Sequence, residues 1–399
     1  MPNGKPSPKP AMIGRLRLAS QGLLANQGLL GNQRLLGNQG APGRTDGGNF
    51  SSIPEAVRWM TAMQAQDLGH ALWAVGQRVP GSGASDVRAA LDAGTVVRSW
   101  PMRGTLHLVA PEDLRWMLEI TSPRLMQSLR ARHRELNITA DDISHARDVA
   151  LKTIADLASS TGAQGASREQ LFAAFEDAGQ ITKAQRGIHL IACLCQETSL
   201  VQGPMAGSKG KIGVQQLFVP FDQWIRNPRT LEPGAGIAEW FLRYIRSHGP
   251  ATVRDFAWWT QVPLSEARAA LNTVKELLVE LPVGDTSYWM SPETAAMLDD
   301  GVPGSRSVLA LPGFDEFLLG YQDRSLVLAP EYAELVVPGK NGVFKRIIVA
   351  GGGVVGTWAR AGTGKSAGVV PEPFAGTLAP AVERSFQAQA RAYLKFMES

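Results

Sequence analysis

Cysteine is nearly absent from this chain. Its 399 residues contain two, Cys193 and Cys195, in a Cys-x-Cys inside an apolar run. Neighbours that close rarely bridge, and two thiols are too few for a metal site, so a reduced, cytoplasmic protein is expected. Long apolar runs are also missing. No stretch of about 18 apolar residues occurs, so no membrane-spanning helix and no membrane partner are expected. Residues 1–18 carry Lys5, Lys9, Arg15 and Arg17 but no apolar centre, which argues against a secretory leader. The six histidines (70, 107, 133, 145, 189 and 248) show no ligand spacing, so no metal and no cofactor are expected. His133 and His145 read as solvated helix residues. No serine or cysteine sits in a nucleophile elbow.

Two phosphate-loop lookalikes also fall away. Gly351-Gly-Gly-Val-Val-Gly356 lies between two strands and opens no helix, so it reads as a hairpin turn. Gly362-Thr-Gly-Lys-Ser366 lacks the first glycine of a Walker loop, because residue 359 is Ala359, and prolines rather than a helix follow.

What is present reads as globular: 44% hydrophobic and 19% charged residues, enough chain for two to four domains. The net charge of +4 is compatible with nucleic acid without establishing it. Residues 1–49 are of low complexity, with Leu-Leu-x-Asn-Gln hexapeptides starting at Leu23, Leu29 and Leu35. A short helix over Arg15–Leu24 followed by an expanded insertion is expected there, with the globular chain beginning near Phe50.

From Phe50 a helix–helix–ribbon pattern occurs three times. Ser52 caps a helix expected over 53–66, a second spans Ser85–Ala93, and a ribbon joins Val96–Trp100 to Gly104–Val109. Helices at Asp141–Ser159, Ser167–Ala178 (a Ser167/Gln170 capping box) and Gln185–Glu197 precede strands at Leu200–Gly203 and Gln215–Val219. Helices at Gly236–Ser247, Val253–Thr260 and Leu264–Leu278 precede a ribbon of Val279–Val283 and Ser287–Met290. Strands are then expected at Val308–Leu311, Leu326–Leu328, Phe344–Ala350 and Val354–Arg360, and a closing helix at Pro380–Met397. The boundaries are 1–49, 50–138, 139–230, 231–300 and 301–399. The fold class is α+β, with three winged helix-turn-helix units and a β-rich C-terminal domain.

Gln64-Ala65-Gln66-Asp67 is the remaining candidate for chemistry. On an unbroken helix, residues i and i+2 lie about 200° apart and share no face. Both amides line one pocket only if the helix ends or unwinds around Ala65. Taken alone, the motif also reads as ordinary solvated polarity. Arg98, Trp100 and Arg103 crowd the first ribbon, as base-and-phosphate contacts or as a core tryptophan with solvated arginines. Lys183, Arg186, Lys209 and Lys211 in the second unit are candidates for the DNA backbone, or a solvated charged face. Trp258-Trp259 reads as core.

Met63-Gln-Ala-Gln-Asp67, Val97-Arg-Ser-Trp-Pro-Met-Arg-Gly-Thr-Leu-His-Leu-Val109 and Pro111-Glu-Asp113 resemble the AlkZ/YcaQ family of winged-helix DNA glycosylases. So do Gly249-Pro-Ala-Thr252, Asp255-Phe-Ala-Trp258, Leu311-Pro-Gly-Phe-Asp315, Asp323-Arg324 and Val355-Gly-Thr-Trp358. The resemblance spans about residues 50–360, in order. It implies three winged-helix units and a C-terminal β-barrel in a C-shaped molecule with a concave DNA-binding surface. It also implies that Gln64 and Gln66 are catalytic, with Asp67 and His107 as possible supporting residues. The YcaQ-like branch carries Gln-x-Asp here. Gln66 resembles the AlkZ branch, some of whose members excise bulky alkylated purines in antibiotic producers. The expected partner is double-stranded DNA carrying an alkylated purine, and the expected state is a monomer. The competing reading is a non-catalytic winged-helix DNA-binding protein or regulator.

Overall fold

The computed structural model describes residues 9–24, 50–207, 215–340, 342–362 and 368–399. The chain forms two compact units. One joins Met1–Val87 to Ile237–Ser399, and the other is Arg88–Gly236.

The Arg88–Gly236 unit is built on three helices, Ala140–Thr161, Arg168–Asp177 and Arg186–Gln196. Their apolar faces meet in a core that includes Ala146, Ile154, Leu171, Phe175, Leu190 and Leu194. The expected capping box is present, with Ser167 and Gln170 each accepting from the other's backbone N–H. Two hairpins stand beside this core, Val97–Met102 with Thr105–Val109 and Leu200–Met205 with Gln216–Pro220. They join where Arg98 pairs with Gln202. Arg103 (φ 56°) and Gly104 (φ 64°) form the two-residue loop of the first hairpin, which needs positive φ at both positions. A 25-residue helix, Pro111–Glu135, absent from the expected elements, carries Pro123 in its interior. His133 on this helix is buried rather than solvated. It packs edge-on against His189, ring centroids 5.4 Å apart.

The other unit begins earlier than Phe50. Helix α1 (Pro10–Ser20) is buried along most of its length, and Leu16 and Leu18 are fully buried. It seats closely on the 351–353 turn: a Cβ on Gly14 would lie 1.9 Å from the Gly352 carbonyl oxygen. Only glycine allows that approach. Arg17 donates from Nε to Pro250 O at 3.0 Å, and its guanidinium lies 3.7 Å from the Tyr321 ring centroid. The hexapeptide copies beyond residue 24 lie outside the described residues.

Helices Val253–Thr260 and Leu264–Val274, the ribbon Val279–Val283/Thr286–Met290 and helix Pro292–Asp300 follow. Trp259 is fully buried as expected, whereas its neighbour Trp258 is only half-buried. The C-terminal β-region is not a barrel. It is a four-stranded antiparallel sheet of Val308–Leu311, Ile347–Ala350, Gly353–Ala361 and Gly368–Pro373, with its first and last strands at opposite edges. The strand expected at Leu326–Leu328 is a turn in which Val327 and Leu328 N–H both donate to Arg324 O. A short buried apolar run does not by itself distinguish strand from turn. Four short strands also fall well below the roughly eight that close a filled barrel. The Gly351–Gly353 turn is the expected hairpin connection.

Acid should weaken this fold. Burial pushes the pKa of His70, His133, His189 and His248 below the ordinary 6.5, opposed at His248 by Glu316 and reinforced at His189 by His133 and Arg132. The unfolded chain takes up protons at these rings near pH 6.5 while the folded chain resists. The stability they contribute is therefore full above that pH and lost as pH falls below it. Denaturant midpoints should fall steadily from pH 7 to pH 5, and a flat profile would contradict the burial.

Candidate functional site

The amide motif sits where helix α2 (Ile53–Met60) gives way to strand β1 (Ala62–Gln64) and then helix α3 (Leu68–Gly76). The Ser52 hydroxyl caps α2 by accepting from Glu55 N–H, and Glu55 accepts in return from Ser51 N–H at 2.8 Å. The helix stops at Met60, earlier than the expected 53–66 span. Thr61 ends it with φ 68° and ψ −52°, a strained conformation for a β-branched residue. The chain is already extended at Ala62. Gln64 is the last residue of the strand, and Gln66 lies two residues on, in the bend that leads into α3, so the two amides do not share a helix. Helix unwinding at Ala65 is not the device.

The two glutamines differ in environment. Gln64 is buried and Gln66 is exposed, with fully buried Ala65 between them. The Gln64 carboxamide oxygen accepts from the Gln66 backbone N–H at 3.3 Å, so the Gln64 side chain folds toward Gln66. An N–H can be accepted only by the carbonyl end, which fixes the orientation of the Gln64 amide. Asp67 caps α3, its carboxylate accepting from His70 N–H at 3.0 Å. The exposed carboxylate is thus turned toward the first turn of its own helix.

Behind β1 lies a carboxylate that sequence reasoning missed. Glu316, almost fully buried, accepts from Gln64 N–H at 2.9 Å with one oxygen and from the Trp259 indole N–H at 2.9 Å with the other. Its neighbour Asp315 forms a buried two-pronged pair with Arg78, at 3.0 and 3.2 Å. Arg78 also donates to Ala74 O and to both the backbone and side-chain oxygens of Gln21. Phe314, just before, holds φ 63°, and its ring lies 6.1 Å from that of His70. The available signal was the pair Asp315-Glu316 inside an otherwise apolar stretch. Two adjacent buried carboxylates require dedicated donors.

Glu316→Gln tests this brace. Gln offers one acceptor oxygen where two donors converge, leaving one donor unmatched. A stability loss of about 1–3 kcal/mol is expected in chemical denaturation. Full stability would show that Glu316 does not position the strand.

The other predicted residues lie in the Arg88–Gly236 unit. His107 is fully buried, with Nδ1 2.8 Å from Thr105 O and Nε2 3.1 Å from Arg103 Nη2. Because the guanidinium only donates, Nε2 accepts and Nδ1 carries the proton. Arg98 donates to Gln202 Oε1 at 3.4 Å. Trp100 packs against the core of this unit, which is the structural alternative for that residue. Arg186 is interior rather than on a charged face. It pairs with Asp142 at 2.9 Å and donates to Leu136 O, Asn137 O, Ile181 O and Gln180. Its guanidinium cross-links the turn before its helix. Lys183 is exposed, while Lys209 and Lys211 lie outside the described residues. Among the described residues no helix is long and apolar enough to cross a membrane, and no group of three or more His, Cys, Asp or Glu side chains is arranged to hold a metal ion.

Comparison with known proteins bears on this arrangement. A sequence model described as DNA glycosylase AlkZ-like matches residues 57–396. An interstrand DNA cross-link repair glycosylase of Streptomyces sahachiroi is 24% identical over 282 residues, covering 66% of this chain and 70% of that protein. The solved structure of Streptomyces sahachiroi DNA glycosylase AlkZ superposes with a TM-score of 0.73 at 21% identity, covering 98% of each chain. At that identity the likeness establishes a shared fold.

Proposed function

This chain belongs to the AlkZ-like DNA glycosylases, and on that premise we propose that it hydrolyses the N-glycosidic bond of cationic N7-alkylated purines in double-stranded DNA. The observation that carries the proposal is the pairing at the end of β1, where a buried, anchored Gln64 accepts from the backbone N–H of an exposed Gln66.

Alkylation at N7 leaves the purine positively charged. When the C1′–N9 bond breaks, its electron pair neutralises the base, so the leaving group needs no general acid. Water must reach C1′ as the sugar acquires oxocarbenium character, forming the C1′–O bond and releasing a proton to solvent. A carboxamide accepts and donates hydrogen bonds and can hold that water in line. Its carbonyl dipole also favours the developing positive charge, more weakly than a carboxylate does. Gln66, the exposed amide, is assigned to the water. Gln64 is assigned to orienting Gln66 and the sugar. Such mild groups suit a leaving group already activated by alkylation and do not suit uncharged bases. The enzyme is monofunctional in this scheme, because no amine nucleophile is required.

The helix–helix–ribbon units are read as winged helices that bind the duplex, with bulky genotoxin or antibiotic adducts as the substrates in repair or self-resistance. One assay tests the reading. The protein is incubated with a duplex carrying a defined N7-alkylguanine, followed by alkali. Strand breaks at the modified position support glycosylase action, whereas a footprint without breaks assigns the chain to the non-catalytic binders.

A further inference from the structure

We propose that a cavity in the unit that carries the amide strand receives the aromatic arm of a bulky adduct, while the alkylated base itself is presented to Gln64 and Gln66. The inference rests on the glycosylase reading for its substrate. The cavity, of about 480 Å³, lies within the unit that carries β1 and is lined by Trp258, Arg324, Leu328, Ala333, Val337 and Phe344. The Arg324 guanidinium lies 4.9 Å from the centroids of both the Trp258 and Phe344 rings, and its Nε donates to Leu318 O at 2.8 Å. Two aromatic walls and a cation are therefore held in place before anything binds.

Two routes join this cavity to the amide strand. The Phe344 ring is 5.9 Å from Phe314, which is 6.1 Å from His70 in the first turn of α3. On the other side, Trp258 directly precedes Trp259, whose indole donates to the same Glu316 carboxylate that accepts from Gln64 N–H.

Size and chemistry select the occupant. A cavity of about 150 Å³ accepts benzene, so one three times larger has room for a fused bicyclic ring and its linker. A nucleobase pocket needs donors and acceptors along the base edge. Here Ser325 and Glu334 are the other polar residues in the lining, and Glu334 already accepts from Gly339 N–H. The remaining walls are rings and aliphatic groups, which favour an arene over a base. The aromatic arm of an alkylating agent meets that description, and a methyl adduct leaves the space empty.

Ala333 is exposed at the cavity wall, so Ala333→Trp fills the space without disturbing the core. The first measurement is saturation-transfer NMR of 2-naphthylmethanol with the full chain. Signal from the wild type that disappears in Ala333→Trp is expected. The second is single-turnover excision from duplexes carrying 7-(naphthylmethyl)guanine or 7-methylguanine. The ratio of the bulky to the methyl rate should fall at least tenfold in the variant. No saturation transfer to the wild type overturns the proposal, as does an unchanged ratio. Equal slowing on both duplexes assigns the cavity to the base and also overturns it. If the wild type excises neither adduct, the glycosylase reading fails, and the NMR arm alone decides whether the cavity takes an arene.

Discussion

Gln66→Ala should lose excision of an N7-alkylguanine by at least about 100-fold while still binding the duplex, since removing one preorganised polar group at a reacting centre costs about 10² to 10³ in rate. The side chain is exposed, so the thermal midpoint should move little. Gln64→Ala should reduce excision as well, for a different reason. It removes the carbonyl that accepts from Gln66 N–H and frees the segment between β1 and α3. The two variants therefore separate chemistry from positioning. Gln66→Glu should retain more excision than Gln66→Ala, because a carboxylate also orders water. Single-turnover rates on alkylated DNA, with binding measured in parallel by gel shift, provide the check. Unimpaired excision by both alanine variants would remove the amides from the mechanism.

Asp315→Ala should be the most destabilising single change in the unit that carries the site. Arg78 and Asp315 are both almost fully buried, and every nitrogen of the Arg78 guanidinium has an acceptor among Ala74, Gln21 and Asp315. Removing the carboxylate strands a cation in the interior, at a cost of about 3–5 kcal/mol. For a unit of this size that corresponds to a fall of roughly 10 °C in thermal midpoint. Replacing both partners together, as Arg78→Met with Asp315→Leu, should cost much less, because no unpaired charge remains. A double-mutant cycle followed by circular dichroism distinguishes these outcomes. If the single and double variants unfold at the same temperature, the pair contributes packing rather than charge compensation. The loss should also reach excision, since Asp315 caps the short helix Glu316–Leu319 and so fixes where Glu316 meets Gln64.

Much of the chain's local structure was legible in its residues. The Ser167/Gln170 box, the helix Val253–Thr260 and the strand Val308–Leu311 stand where expected. Each depends on neighbours a few residues away, and near-neighbour hydrogen bonds and φ preferences leave direct marks in sequence. The Gln-x-Gln motif was legible too, but as residue types without a geometry.

The amino-acid order by itself determined the family, the helix caps, the hairpin turns and the identity of the candidate reactive groups. Tertiary structure alone decided how those groups are held. Thr61 adopts a strained φ that no local preference predicts, ending the helix early, so that Gln64 ends a short strand and Gln66 lies in the bend after it. Glu316, 252 positions along the chain from Gln64, supplies the acceptor that anchors the strand. Arg186, which sequence alone reads as a DNA-backbone contact or part of a solvated charged face, is interior because distant carbonyls accept from it, and Arg17 is held inside in the same way. The physical reason is common to all of these. Strain and buried polar groups persist only where partners remote in sequence compensate them, and that compensation exists only once the chain has folded.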